Sequence, residues 1–343
     1  MKIHQDFKLN GKSFTNQDVL LEFVKLNFEE HHLFLVDLFD NSDQITVTTS
    51  GSTGIPKQLN LDKSKMLQSA RATGVFFELP AKTKALCCLS SSYIAGKMMW
   101  VRSLDLGWHI DVVPVDSNPL QHTDNQYDFA AMVPMQVNES LAKIEQIQKL
   151  IIGGAPISYL LKKELLTKNI QAFQTYGMTE TITHIAVKRI LEQPTLYKAL
   201  PNVSFSIDNR KCLVINAPRV TNDSLTTNDV VRLVKTHEFE WIGRYDNVIN
   251  SGGVKLFPEE IEEKLRPFIE LPFIIVAVPD EKFGEQVVLL IESTVTIENL
   301  HQIIEKASLS KYENPKSIYY LSEFARTDNG KIKRNTCIEL IIG

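Results

Sequence analysis

Residues 48–57 read TTSGSTGIPK, a run of small and hydroxylated residues that ends on Pro56 and Lys57. The preceding Gln44-Ile-Thr-Val-Thr-Thr49 reads as a β-strand, so the run is the loop through which the chain leaves it. Gly51 and Gly54 let the backbone approach a ligand closely. The hydroxyls of Thr49, Ser50, Ser52 and Thr53, with the local N–H groups, suit phosphate oxygens, and Lys57 adds a positive charge. The spacing is not that of a Walker A loop, because Lys57 lies three residues beyond Gly54 and Gln58 follows it.

Outward from this loop, strand-length and helix-length segments alternate. Helices are expected over residues 16–30, with Asn16 as cap, and from Asp62 to about Leu79. Then come strand Ala85–Leu89, helix Ala95–Leu106, strand Ile110–Val115, strand Phe129–Val133, helix Asn138–Gln146, strand Leu150–Ile152, helix Ile157–Lys168 and strand Gln171–Thr175. Such alternation implies βαβ units and an α/β fold with a mainly parallel sheet. From about 203 to 242 short strands and turns take over, as in a small antiparallel sheet or barrel. A second, α+β unit begins near Arg244, with a hairpin, a helix after Pro258, strands at Phe273–Val278, Gln286–Glu292 and Ser317–Leu321, and a helix over Ile297–Lys306. The expected domains are 1–243 and 244–343, with a hinge at Gly243-Arg244-Tyr245-Asp246.

Composition narrows the function. The 343 residues are 43% apolar and 23% charged, ordinary for a globular protein. A net charge of -4 without a basic stripe argues against a nucleic-acid partner. No apolar run approaches the roughly 20 residues that cross a bilayer, and the polar N-terminus has no signal-peptide core. Cys87, Cys88, Cys212 and Cys337 lack metal-site spacing and read as reduced, buried thiols of a cytoplasmic protein.

Four segments in order resemble the motifs of the adenylate-forming superfamily, which includes acyl-CoA synthetases, peptide-synthetase adenylation domains and luciferases. They are Thr49–Lys57, Tyr176-Gly-Met-Thr-Glu-Thr181, Trp241–Lys255 with Pro258-Glu-Glu-Ile-Glu262, and Asn329-Gly-Lys-Ile-Lys-Arg334. The resemblance implies ATP, Mg2+ and coenzyme A as cofactors and substrates, and a two-step reaction through an acyl-adenylate. Thr49, Ser50, Gly51, Ser52, Thr53, Gly54 and Lys57 would hold the outer phosphates. Gly153, Gly154, Ala155 and Pro156 would lie along the adenine, and Tyr176, Gly177 and Met178 would flank it. Thr179 would meet the α-phosphate, and Glu180 would bind magnesium. Asp229 and Arg244 would take the ribose hydroxyls, and Asp246 would be the pivot about which the small, mobile C-terminal domain turns. The usual motif has glycine where Asn228 stands, and asparagine also tolerates positive φ. Lys331 would be the catalytic cation of the first step, and Ser251, Gly252 and Gly253 would line the coenzyme A path in the second. Lys255 reads equally as structural or as an anion contact.

Within the superfamily, Tyr93-Ile-Ala-Gly-Lys-Met-Met99, Asp128-Phe-Ala-Ala-Met-Val-Pro134 and Trp241-Ile-Gly-Arg244 resemble the o-succinylbenzoate–CoA ligases of menaquinone biosynthesis, in a form shortened at the N-terminus. That implies an aromatic keto-dicarboxylate as the acid. Tyr93, Lys97, Met178 and His184 are candidates for its pocket; Lys97 and His184 read equally well as structural polar residues. The segment Leu89-Ser-Ser-Ser-Tyr93 departs from the usual Pro-Leu-x-His pattern. A ligase for another aryl or medium-chain acid, and a non-catalytic binder of nucleotides or acyl-adenylates, remain alternatives. A homodimer is a family-level expectation.

Overall fold

A computed structural model describes residues 1–49, 57–326 and 332–342, without the side chains of Thr49 and Lys57. It divides into two compact units. One comprises Met1–Phe205, Ile215–Leu225 and Lys235–Phe239; the other comprises Ser206–Val214, Thr226–Val234 and Glu240–Gly343.

The first unit runs β1 (Lys8–Leu9), α1 (Gln17–Asn27), α2 (Glu29–Phe39), β2 (Gln44–Thr49), β3 (Lys57–Asp62), α3 (Lys63–Phe76), β4 (Lys84–Cys87), α4 (Ile94–Leu106) and β5 (His109–Val112). It continues with β6 (Tyr127–Met132), α5 (Pro134–Glu139), β7 (Ile147–Ile152), α6 (Tyr159–Leu166), β8 (Gln171–Gly177), β9 (His184–Arg189) and β10 (Tyr197–Ala199). Strands β11 (Ser204–Ile207), β12 (Cys212–Asn216), β13 (Leu225–Lys235) and β14 (Glu238–Arg244) contribute residues to both units.

The central sheet has the order β1-β5-β4-β6-β7-β8-β9-β10. Its first five pairings are parallel, and β8–β9 and β9–β10 are antiparallel. Parallel strands covered on both faces need nearly continuous apolar runs. Phe129, Ala130 and Met132 on β6 and Leu150, Ile151 and Ile152 on β7 supply them, all buried. Each of the larger ones, Ala130 excepted, contributes about 1.5–3 kcal/mol on burial.

Two helices differ from expectation. Asn16 does cap α1, its side chain accepting the Val19 N–H at 3.0 Å. The helix stops at Asn27, because Phe28 leaves helical geometry (φ −145°, ψ 52°) and packs its ring 6.1 Å from that of Phe23. A separate helix, α2, then buries His31, Phe34, Leu35 and Leu38 on one face. The helix expected over 138–146 lies earlier, at Pro134–Glu139. Pro134 is pre-shaped for a helix start, and Gln136 closes the turn by accepting the Val133 N–H at 3.2 Å. The Gln136 amide also donates to the carbonyls of Cys88 and Asp116 at 2.9 and 3.0 Å, joining the exits of β4 and β6.

The second unit contains β15 (Ile249–Ser251), β16 (Val254–Leu256), α7 (Pro258–Leu265), β17 (Phe273–Asp280), β18 (Gly284–Glu292), α8 (Leu300–Glu305), β19 (Ser317–Leu321) and α9 (Arg334–Ile342). Strand β17 buries alternate residues on opposite faces. Ile275 joins the core that α7 and α8 cover, and Ile274, Val276 and Val278 join the one that holds Phe324 and Cys337. All four cysteines are buried and unpaired, and burial pushes the Cys87 thiol up to about 12. Among the described residues no helix is long and apolar enough to cross a membrane.

Candidate active site

In a parallel sheet, ligands gather outside the carboxyl ends of the strands. Strands β7 and β8 are parallel neighbours, and their ends carry Gly153-Gly-Ala-Pro156 and Tyr176-Gly-Met178. A Cβ on Gly153 would sit 2.4 Å from Thr175 Oγ1, so the exit of β7 lies directly on β8. Gly154 has φ +84°, a conformation that favours glycine.

The turn after β8 is built with more strain. A Cβ on Gly177 would stand 2.3 Å from the Thr183 carbonyl, so only glycine fits there. Thr179-Glu180-Thr181 form one 3-10 turn. The Thr181 hydroxyl accepts the Met178 N–H at 3.0 Å and lies 2.9 and 2.8 Å from the carbonyls of Met178 and Thr183. Ile182 takes φ 66°, which is rare for a β-branched residue and marks stored strain. This tight reversal pairs β8 with β9 through a bulge at Tyr176/Gly177. It leaves Glu180 exposed and Thr179 half-exposed at the strand ends. Among the described residues no three His, Cys, Asp or Glu side chains cluster as metal ligands. An exposed carboxylate beside a hydroxyl suits Mg2+, which keeps waters and phosphate oxygens in its shell.

Tyr176 is half-buried, with its ring 5.2 Å from Phe239 and 5.7 Å from Tyr197. These contacts fix the plane of the ring.

The candidates for an acid pocket have different neighbours. Tyr93 is exposed at the start of α4. Lys97 lies over the Phe34 ring at 4.7 Å, and burial lowers its pKa against the pull of Asp37. His184 is buried, with Nε2 3.5 Å from Thr73 Oγ1 and its ring 6.4 Å from Phe77. Burial first, and then the positive charge of Arg102, hold its pKa well below the ordinary value, so the ring is neutral.

Arg102 itself was missed by the sequence reading. It is 1% exposed on α4, whose residues from Met98 to Leu104 are all buried. Its Nε and Nη2 have no hydrogen-bond partner among the described residues, and Nη1 makes a 3.7 Å contact to Met99 Sδ. Burial alone pulls its pKa down to about 9. A buried cation with open donors is rare unless an anion completes it. The signal was an arginine inside Met98-Met-Trp-Val-Arg-Ser-Leu104, an otherwise almost wholly apolar helix.

In the second unit, Asp229 on β13 is 7% exposed. It accepts the Trp241 Nε1–H at 3.2 Å and lies 3.6 Å from Arg244 Nη1. Trp241 thus orients Asp229, a positioning contact that the motif alone did not disclose. Arg244 also donates to Asp246 at 2.9 Å. Beyond them, Gly243 meets Glu259 so closely that a Cβ would stand 2.4 Å from Oε2. Glu259 accepts from Asn247 at 2.5 Å through Oε1. Burial raises its pKa, opposed by Arg334. Ser251-Gly252-Gly253 form the tip of the β15–β16 hairpin, with φ +58° at Gly252 and +81° at Gly253, as two-residue hairpins require. Lys255 is exposed on β16.

The loop Ser50, Gly51, Ser52, Thr53, Gly54, the side chains of Thr49 and Lys57, and Lys331 lie outside the described residues.

The chain matches the family model described as AMP-binding enzyme over residues 40–219. It is 25% identical over 349 residues to the 2-succinylbenzoate–CoA ligase of Listeria monocytogenes, covering 92% of this chain and 73% of that one. Identity to the ligase of the same name from Lactococcus lactis is 23%, covering 87% and 71%. Among solved structures, an acyl-CoA synthetase (AMP-forming)/AMP-acid ligase II-like protein from Dyadobacter fermentans aligns at 35% identity and TM-score 0.62, covering 92% and 94%. The o-succinylbenzoate coenzyme A synthetase of Bacillus subtilis, solved with ATP and magnesium, shares the fold at TM-score 0.72 and 21% identity, covering 84% and 68%.

Proposed function

The chain belongs to the AMP-binding enzyme family, as an acid–CoA ligase, and from that premise we propose that its acid is o-succinylbenzoate. The enzyme would join the acid to ATP as an acyl-adenylate, release pyrophosphate and pass the acyl group to coenzyme A, a step of menaquinone biosynthesis. The observation that carries the choice of acid is Arg102. A simple aryl or fatty acid has one carboxylate, and it is consumed in the adenylate. A dicarboxylate brings a second one, which would complete the open Nε and Nη2 donors of a buried guanidinium. Neutral His184 adds no competing charge, and its neighbour Phe77 offers an aromatic face. The curated relatives named 2-succinylbenzoate–CoA ligase support the same reading.

The other roles follow from what the reaction needs. Two anions must meet in the first step, so cations belong where charge accumulates. Magnesium, when bound, neutralises phosphate charge, and Glu180 with Thr179 is the pair to hold it and the α-phosphate. Tyr176 and Gly153-Gly-Ala-Pro156 offer a flat ring and a small-residue strip to the adenine. Asp229, oriented by Trp241, offers carboxylate oxygens to the ribose hydroxyls. Lys331 and the 49–57 loop would supply the remaining positive charge.

The test is ATP–pyrophosphate exchange driven by a panel of acids. Exchange with o-succinylbenzoate well above that with benzoate, medium-chain and long-chain fatty acids is the expected result. Exchange with one of those acids and none with o-succinylbenzoate would overturn the choice of acid. Silence with every acid would favour a non-catalytic binder.

A further inference from the structure

We propose that Asn228 is a positioning residue that latches the pivot Asp246, a role that rests on the ligase reading given above. The motif reading treated Asn228 as a stand-in for glycine that tolerates positive φ. The backbone tells otherwise. Asn228 lies inside β13 and is not among the residues with positive φ, so no special backbone conformation is in use and the side chain carries the role.

Its amide faces two ways. Asn228 Nδ2 donates to both carboxylate oxygens of Asp246, at 3.2 and 3.3 Å. Asn228 Oδ1 accepts from Arg210 Nη1 at 2.9 Å. Arg210 is itself anchored. It donates to Asp208 at 2.8 Å and to the Thr227 carbonyl at 3.2 Å, and its guanidinium lies 5.1 Å over the Tyr245 ring. The amide cannot flip without setting N–H against N–H at Arg210 and oxygen against oxygen at Asp246. Arg244 Nη2 holds Asp246 from the other side at 2.9 Å. One carboxylate is therefore gripped by two donors from two strands, β13 and β14.

In a two-step ligase that re-poses its C-terminal lobe about Asp246, this grip favours one setting of the pivot over the other. A glycine at 228 has no amide and leaves Asp246 to Arg244. The Asn228 bonds are exposed to solvent, so their net worth is no more than that of an ordinary hydrogen bond, and their loss shifts a two-state balance by at most roughly threefold to tenfold. Asn228 touches neither substrate nor reacting atoms in this account. It acts on the balance between adenylation and thioester formation.

The test compares Asn228→Ala and Asn228→Asp with wild type. Asn228→Asp keeps an acceptor for Arg210 and turns the donor facing Asp246 into a carboxylate oxygen, which breaks that arm by repulsion as well as by loss of the bond, and it serves should Asn228→Ala fail to fold. Two readouts are taken: hydrogen–deuterium exchange of the peptide spanning Tyr245–Ser251, and the ratio of acid-dependent pyrophosphate exchange to thioester formation from supplied acyl-adenylate. Both variants are expected to raise deuterium uptake and to change that ratio roughly threefold to tenfold. In an Asp246→Ala background, Asn228→Ala is expected to add nothing further. Unchanged uptake, or an Asn228→Ala effect that persists without Asp246, overturns the latch. If the wild-type enzyme shows no exchange with any acid, the ligase reading fails, and the uptake arm still decides whether Asn228 holds Asp246.

Discussion

Replacing Arg102 by methionine separates a substrate-binding arginine from a structural one, because the two make opposite forecasts for stability. Methionine is shorter at the tip but close in volume, unbranched and flexible, and it removes the charge. A fall in pKa from the ordinary arginine value to about 9 corresponds to roughly 5 kcal/mol of penalty for holding the charged form in the folded chain. Exchanging a buried, poorly compensated charge for an apolar side chain of similar volume gains about 1–4 kcal/mol in practice. The sign with pH follows from the depressed pKa of a base. Below about 9 both folded and unfolded chains carry the proton and the penalty is full; as pH rises from there towards the ordinary arginine value the folded chain releases it first and the penalty shrinks. Urea unfolding of the ligand-free enzyme at pH 7 is therefore expected to show Arg102→Met more stable by about 1–4 kcal/mol, with the gap narrowing above pH 9. The same variant is expected to weaken the response to o-succinylbenzoate about thirtyfold or more, equivalent to about 2 kcal/mol, and to leave any exchange with benzoate little changed. Destabilisation by about 3–5 kcal/mol, the cost of breaking a satisfied buried pair, would refute the reasoning, since it would mean that Arg102 already has its partner.

Gly177→Ala is expected to lose most acid-dependent exchange and about 1–3 kcal/mol in a denaturant titration, because the Thr183 carbonyl lies 2.3 Å from the new carbon and the turn holding Thr179 and Glu180 must shift. Glu262→Gln is expected to cost about 1–3 kcal/mol in unfolding: it removes the charge that pairs with Arg334 at 2.7 Å and leaves that guanidinium to Glu259 at 3.9 Å and the Ile275 carbonyl at 2.7 Å. Glu259 has a raised pKa in the folded chain, so stability is expected to fall as pH rises from the ordinary carboxyl range through the folded pKa. Glu259→Gln is expected to flatten that slope in urea titrations run upward in pH from the ordinary carboxyl range. Lys331→Ala is expected to abolish pyrophosphate exchange while sparing thioester formation from supplied acyl-adenylate; equal loss of both steps would contradict separate poses for the two half-reactions.

Much of the first unit could be read from the chain because local and global signals agree there. Gln44–Thr49 is a strand as expected, and the glycines at 153, 154 and 177 mark the strand exits where backbones crowd. Helix α2 escaped because Glu29, Glu30, His31 and His32 look like the polar end of one helix, whereas His31 is buried 5.3 Å from the Trp100 ring. Helix α5 starts at Pro134, earlier than the expected Asn138, because a proline's fixed φ suits the first helical position directly after the strand. The site shows the same division. Motif residues could be named from spacing, but what orients them could not. Trp241 holds Asp229, Asn228 holds Asp246, and Arg102 stands uncompensated beside His184, and each relation joins residues on different elements or far apart along the chain.

The central claim is that this chain makes a thioester through an adenylate. Incubation with o-succinylbenzoate, ATP, Mg2+ and coenzyme A, followed by mass-spectrometric quantification of nucleotide and thioester, tests it most directly. The account predicts AMP and o-succinylbenzoyl-CoA in equal amounts, with AMP release dependent on the acid. Release of ADP in place of AMP, or AMP formed equally well without any acid, would contradict it.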